Sequence, residues 1–169
     1  MNLFVRLALL LLRVRFRGRL APLDESVLRF RVVPGDLDVN LHMNNARYLS
    51  MMDLGRTDLV LRMGVVRELM RRRWNPVVGS LTIRFRRSLA PFQAYTLHTR
   101  LMCWDEKAFY LEQRFERDGD VVARAVVRGV FVGPDGRVPA HRLVEMAGYE
   151  AESPPMPEAV RAWVEAEAA

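Results

Sequence analysis

A single cysteine, Cys103, stands among 169 residues, so the chain can form neither an intramolecular disulfide nor a cysteine-cluster metal centre. The three histidines, His42, His98 and His141, are too scattered for a recognisable ligand pattern, and no metal is expected. Lysine is nearly missing: of 26 basic residues only Lys107 is not arginine. Long apolar runs are missing as well. The N-terminal run from Leu7 to Leu12 lies between Arg6 and Arg13 and falls far short of the ~20 residues that a spanning helix needs. No small-x-small cleavage pattern follows it, which argues against a secretory leader. There is no G-x-S-x-G nucleophile elbow, no phosphate-cradling glycine loop and no internal repeat.

What is present suits one globular domain: half the residues are hydrophobic, and glycine and proline are at ordinary levels. The sequence reads as a basic amphipathic helix over 1–20, a domain over 21–145, and a proline linker with a short helix over 146–169. The net charge of +6 is concentrated at the start. Residues 1–19 carry five arginines and no acid, so only one unit of the surplus belongs to the rest of the chain. A nucleic-acid partner is not expected, because binding would require a basic stripe on the folded domain itself. On helical spacing Leu3, Leu7, Leu10, Leu11 and Val14 share a face. Such a helix suits a membrane surface and equally suits docking on its own domain or on a partner subunit. The chain is expected to be cytoplasmic, on the inner face of a membrane if the leader binds lipid.

The body reads as one helix and five strands. Residues 26–33 form a strand before Pro34-Gly35, a turn signal. Over 44–63, Tyr48, Met51, Met52, Leu59 and Met63 recur at helical intervals behind Asn44, a suitable N-cap, and Gly64 closes the helix. A second short helix follows in VVRELMRRR. After Trp74-Asn75-Pro76 the period changes to two: Leu81, Ile83 and Phe85 alternate with polar neighbours, then YTLHTRLMCW, AFYLEQRFER and VVARAVVRGVFV follow with short turns between them. That order predicts an α+β fold, a five-stranded antiparallel sheet wrapped around a helix that is apolar on more than one side. Cys103 falls on a strand and reads as core.

The stretch DLDVNLHMNNARYL, residues 36–49, gathers two aspartates, three asparagines and a histidine before the helix. Turn chemistry alone accounts for a few such residues, since Asn and Asp before a helix usually cap it and a lone histidine is commonly a hydrogen-bonded structural residue. The same residues also fit hydrolysis of an activated acyl group. That chemistry needs an oxyanion stabiliser and a way to deliver water or a nucleophile to the carbonyl carbon. Free amides at a helix N-terminus supply the first, here around Asn44, Asn45, Ala46 and Arg47. Asp38 supplies the second as nucleophile or general base, with Asn40 positioning water or the carboxylate and His42 orienting or sharing the proton. Asp36 reads as a turn residue.

These motifs resemble a known family. DLDVNLHMNNARYL, RFRRSL (84–89) and WDEKAFYLEQRF (104–115) are similar to stretches of the hotdog-fold acyl thioesterases, the 4-hydroxybenzoyl-CoA thioesterase superfamily, and most of all to the thioesterase superfamily member 6 type. The likeness covers about residues 25 to 140. It implies a hotdog fold, an acyl-CoA or acyl-carrier-protein thioester as substrate, no cofactor, and a homodimer or dimer of dimers with sites between subunits. It also implies catalytic roles for Asp38, Asn40 and His42, which match the Asp, Asn and His of the plant acyl-carrier-protein thioesterase motif. Arg86 and Arg87, like the Arg71–Arg73 run, are candidates for coenzyme A phosphates, because guanidinium groups suit bidentate phosphate contact. A hotdog hydratase motif resembles D-x-N-P-x-H, with histidine five positions after aspartate. Here His42 follows Asp38 by four with no proline between, which favours hydrolysis. A non-catalytic acyl-thioester-binding or membrane-associated protein of the same fold is the remaining alternative.

Overall fold

The computed structural model describes residues 3–168. Its centre is the 19-residue helix α2, Asn45–Met63; an N-terminal helix, α1 (Leu3–Val14), precedes it. The Asn44 side chain caps α2 by accepting from the Ala46 N–H at 2.8 Å. Gly64 ends it with φ +77°, a left-handed conformation that glycine adopts without steric cost. Tyr48, Met51, Met52, Leu54, Leu59 and Met63 are all buried, so the helix is apolar on several sides, as an enclosed helix must be. It approaches the sheet so closely at Gly55 that a Cβ there would collide with the Thr99 hydroxyl and lie 2.9 Å from Gln113 Nε2. Gln113, itself fully buried, fixes that contact: its amide N–H groups donate to the Met52 carbonyl at 3.0 Å and to Thr99 Oγ1 at 2.9 Å, and its oxygen accepts from Arg56 at 2.7 Å.

Around this helix runs an antiparallel sheet of five long strands, β1 (Ser26–Arg31), β2 (Asn75–Phe85), β3 (Ala94–Trp104), β4 (Phe109–Arg117) and β5 (Asp120–Gly133), ordered β1-β3-β4-β5-β2. This is the hotdog arrangement that the sequence resemblance implies. Three details differ from the sequence reading. The turn at 133–136 does not end the sheet, because the chain folds back into a short sixth strand, β6 (Gly136–Val138), paired with β5. β2 begins at Asn75 and takes in Pro76, which an edge strand tolerates because one side of its backbone bonds no neighbour. A short helix, α4 (His141–Met146), follows β6; the helix α3 (Val66–Arg72) stands where VVRELMRRR predicts one.

Both terminal segments pack on the domain. Leu3, Leu7 and Leu10 of α1 turn toward the main core, while Phe4, Leu12 and Phe16 are exposed. The C-terminal helix α5 (Glu158–Ala168) covers part of the outer sheet face, where Val160 packs with Cys103, Ala108 and Tyr110. Burial, and then the charge of Asp105, push the Cys103 thiol up to about 11, in keeping with a core side chain.

Candidate active site at the start of the central helix

Residues 34–47 are folded by their own backbone. A 3-10 turn over Pro34–Asp36 leads into a tight loop closed by an isolated bridge between Leu37 and Met43. Inside the loop the Asp38 N–H donates to the His42 carbonyl at 2.8 Å and the Leu41 N–H to the Asp38 carbonyl at 3.1 Å. Leu41 takes φ +58°. The Asp38 carboxylate organises the turn: its Oδ1 accepts from the Asn40 N–H at 2.9 Å and the His42 N–H at 3.3 Å. Among the described residues its Oδ2 has no partner, and the side chain is half-buried. Asn40 and His42 are exposed; their backbones, not their side chains, are what the structure ties to Asp38.

The first turn of α2 allocates its amides unevenly. The Asn44 N–H donates to the Asp36 carbonyl at 2.9 Å and the Arg47 N–H to the Asn44 carbonyl at 2.8 Å, while the Ala46 N–H is taken by the Asn44 side chain. That leaves the Asn45 N–H without an acceptor among the described residues, at the positive end of a long helix dipole. Of the amides that the sequence offers for an oxyanion, Asn44 and Ala46 are therefore engaged in building the helix start and Asn45 is open.

Asp36, a turn residue on the sequence reading, holds the site from below. It is fully buried and pairs with Arg6 of α1, itself 3% exposed, and with Arg47 Nε at 3.4 Å. Its Oδ2 also accepts from the Val33 N–H at 3.1 Å. One carboxylate thus joins α1, the 3-10 turn and the start of α2. No local pattern reveals this, because Arg6 lies thirty residues upstream.

The segment after β2 passes the same end of α2. Phe85 packs edge-on against Tyr48 with ring centroids 5.0 Å apart, and the Met43 N–H donates to the Leu89 carbonyl at 2.8 Å. Arg86 and Arg87 lie between these two contacts and are exposed; Arg87 pairs with Asp120. Burial pushes the Tyr48 phenol up to about 12, so it is neutral beside the helix start. The Arg71–Arg73 run behaves otherwise: Arg71 and Arg72 close on Glu68 and hold its carboxyl down at about 2.

An apolar cavity of about 780 Å³ runs beside α2, α3 and β2, lined by residues such as Val60, Met63, Leu101 and Val127. Asp38, Asn40 and His42 do not line it. Its polar members include Asp53 and Arg56, an ion pair on α2 that the sequence reading does not single out. Asp53 is eight residues beyond Asn45, roughly 12 Å along the helix axis at ~1.5 Å per residue. Among the described residues no group of His, Cys, Asp and Glu can hold a metal ion.

Comparison with known proteins places this geometry. The model of the thioesterase-like superfamily matches residues 32–164. The chain is 36% identical to Protein THEM6 of Xenopus laevis over 168 residues, 95% of this chain and 78% of that relative. Among solved structures it is similar in fold to the probable thioesterase YbaW of Escherichia coli, with TM-score 0.67, 23% identity, and coverage of 72% of this chain and 94% of that one. It is likewise similar to the 4-hydroxybenzoyl-CoA thioesterase of Pseudomonas sp. strain CBS-3, with TM-score 0.64, 18% identity, and coverage of 72% and 98%. The helix enclosed by its sheet is thus a thioesterase-like fold, and the chain belongs to the thioesterase-like superfamily, beside the THEM6 proteins.

Proposed function

We propose that this protein hydrolyses an acyl thioester of coenzyme A or acyl carrier protein to the free acid and thiol, at the turn before α2. The observation that carries this reading is that two groups at the entry to α2 are unspent among the described residues, the Asp38 Oδ2 on the turn and the Asn45 N–H at the first position of the helix. A thioester carbonyl set against the Asn45 amide is polarised, and its oxyanion is stabilised as charge develops. Asp38 then removes a proton from water as the water oxygen bonds to the carbonyl carbon, or attacks that carbon itself to give an anhydride that water cleaves. Collapse of the adduct breaks the C–S bond, and the thiolate leaves and takes up a proton. Asn40 and His42, exposed beside the turn, position the water or the carboxylate. Arg86 and Arg87 flank the helix start and suit the phosphates of the carrier, and the apolar cavity along α2 suits the acyl group.

The reading includes a homodimer. β2 is an 11-residue edge strand with Val77, Val78 and Phe85 exposed, and an open edge of that kind is normally covered by pairing. Association through β2 would also place a second subunit beside the open site. Residues 1–19 are read as touching a membrane surface, through the exposed Phe4, Leu12 and Phe16 of α1 and its flank, with arginines beside them. None of the described helices is long and apolar enough to cross a membrane.

Free-thiol release from a panel of acyl-CoAs, with wild type and Asp38→Asn compared, tests the proposal. Wild type should turn over at least one thioester and Asp38→Asn should lose nearly all of that rate. Retention of the rate within a few-fold would reject Asp38, and no turnover across the panel would move the non-catalytic binding protein ahead. A monomer in light scattering at micromolar concentration would remove the dimer, and equal vesicle binding without residues 1–19 would remove the membrane contact.

A further inference from the structure

A second cleft, of about 650 Å³, lies between α1 and the edge strand β1 and shares no lining residue with the 36–47 turn or with the apolar cavity beside α2. Its floor is apolar, built from Leu9, Leu10, Leu28 and Phe30, and it is lined by five arginines (6, 13, 17, 29 and 31) against a single carboxylate, Asp58. That carboxylate is spent. Fully buried, its Oδ1 accepts from Arg17 at 2.8 Å and its Oδ2 from Ser26 Oγ at 2.6 Å, with Arg62 3.5 Å away. Two cations thus share one anion, and the same holds at Asp36, which Arg6 and Arg47 share.

The remaining guanidinium groups are short of acceptors. Arg6, buried beside Asp36, also reaches the Arg31 carbonyl at 3.4 Å and the Met51 sulfur, a weak acceptor, at 2.7 Å; among the described residues its Nε has no hydrogen-bond partner, and neither has Oδ1 of Asp36. Arg31 reaches only the Phe92 carbonyl, at 2.6 Å. Arg13 and Arg29 are exposed and have no acceptor among the described residues. Five guanidinium groups around one spent carboxylate, two of them exposed and without an acceptor among the described residues, leave the cleft with a surplus of positive charge, which marks a place for an anion. The apolar floor determines what the anion is attached to. The volume falls within the range of small-molecule sites, ~300–1,000 Å³.

We infer that the α1–β1 cleft binds an alkyl chain ending in an anionic headgroup: a free fatty acid, or one chain of an anionic phospholipid. The chain lies on Leu9, Leu10, Leu28 and Phe30 and the headgroup is held by Arg13 and Arg29 at the rim, with the arginine guanidinium forming the paired N–H bonds that suit a carboxylate or phosphate. The site stands apart from hydrolysis, and it gives α1 a ligand-dependent contact with the domain.

Fluorescence of cis-parinaric acid, titrated below its micellar concentration into the full chain, tests this. The expected result is saturable binding at one site per chain, displaced by oleate and not by oleyl alcohol, and weakened by added salt. Arg13→Ala with Arg29→Ala should weaken it at least tenfold, and Arg13→Lys with Arg29→Lys should weaken it less. Ala94→Trp, at an exposed position lining the cleft, should weaken it by filling the space with every charge kept. All three variants alter exposed side chains, and thermal melting confirms that they fold. Phosphatidylglycerol vesicles separate the two sources. Saturable binding of the monomeric acid identifies a free fatty acid. Vesicle binding that Ala94→Trp diminishes, with no binding of the monomeric acid, identifies a phospholipid chain. The inference is overturned if the wild type binds neither probe, or if binding is unchanged both in the Arg13/Arg29 alanine variant and in Ala94→Trp, which would place the acid elsewhere.

Discussion

Asp36 and Asp38 stand two residues apart in one loop and have opposite surroundings. Asp36 is fully buried between Arg6 and Arg47 and anchors three segments. Asp38 is half-buried, spends one oxygen on two backbone amides of its own turn, and leaves the other open. The first carboxylate is structural because its charge is consumed by partners in a dry interior, where removing one member of a pair strands the others. The second keeps a lone-pair-bearing oxygen that water or substrate can reach. Within a single motif, burial and partner number separate the brace from the proposed reagent.

That contrast can be broken experimentally, starting where the effect is largest. Asp38→Asn keeps an oxygen to accept from the Asn40 and His42 amides and removes the charge, so hydrolysis should fall by roughly 10²- to 10⁴-fold while the melting temperature barely moves. Paired kinetics and thermal melting check this, and a large loss of stability with the rate retained would make Asp38 a second brace. Asp36→Ala should show the opposite pattern. It leaves the Arg6 charge buried and unpaired, at a cost of about 3–5 kcal/mol, read as a lowered urea midpoint. Activity per folded molecule should fall far less than in Asp38→Asn.

Smaller effects sharpen the same division. Gly55→Ala forces a methyl group against Thr99 and Gln113, and such overpacking costs about 1–3 kcal/mol with no charge altered; denaturant unfolding measures it. Asn44→Ala removes the cap on Ala46 and should cost about 1 kcal/mol. It also frees a second amide beside Asn45, so a modest change in the rate accompanies the stability loss if these amides face the carbonyl. The smallest expected signal is the background in the thiol assay. Cys103 is fully buried and its thiol is held up at about 11, so the native protein should release no thiol signal at pH 8, and one equivalent should appear in denaturant.

The alternation of Leu97, Thr99 and Leu101, and the helical recurrence from Tyr48 to Met63, are legible in the sequence because they are local; the alternation fails at Cys103, which a β-bulge after Leu101 turns onto the outer face beside Val160. Each residue's neighbours along the chain already say which way it faces, and Asn44 and Gly64 mark the helix ends by their own backbone chemistry. β6 and α4 left no such mark: β6 has only three residues and α4 six, without a capping side chain, too short for a period to declare itself. The helical face of α1 was readable in part, since Leu3, Leu7 and Leu10 pack on the core while Leu11 of the same expected face is exposed, and what the face met was not. Leu3, Leu7 and Leu10 on the domain and Phe4, Leu12 and Phe16 in solvent are decided by the surface the helix meets.

The candidate site divides in the same way. Local chain chemistry is enough to say which residues crowd the start of α2, and that Asp38, Asn40 and His42 sit on a turn rather than on an element, because turn and cap propensities act over four or five residues. Which of those groups remain free depends on the packing of distant segments. The Asn44 amide is lost to Asp36 and the Ala46 amide to the cap, and Asp36 itself is lost to Arg6, thirty residues away. Hydrogen-bond and charge partners are assigned by proximity in space, and a buried group takes whichever partner the packing brings to it.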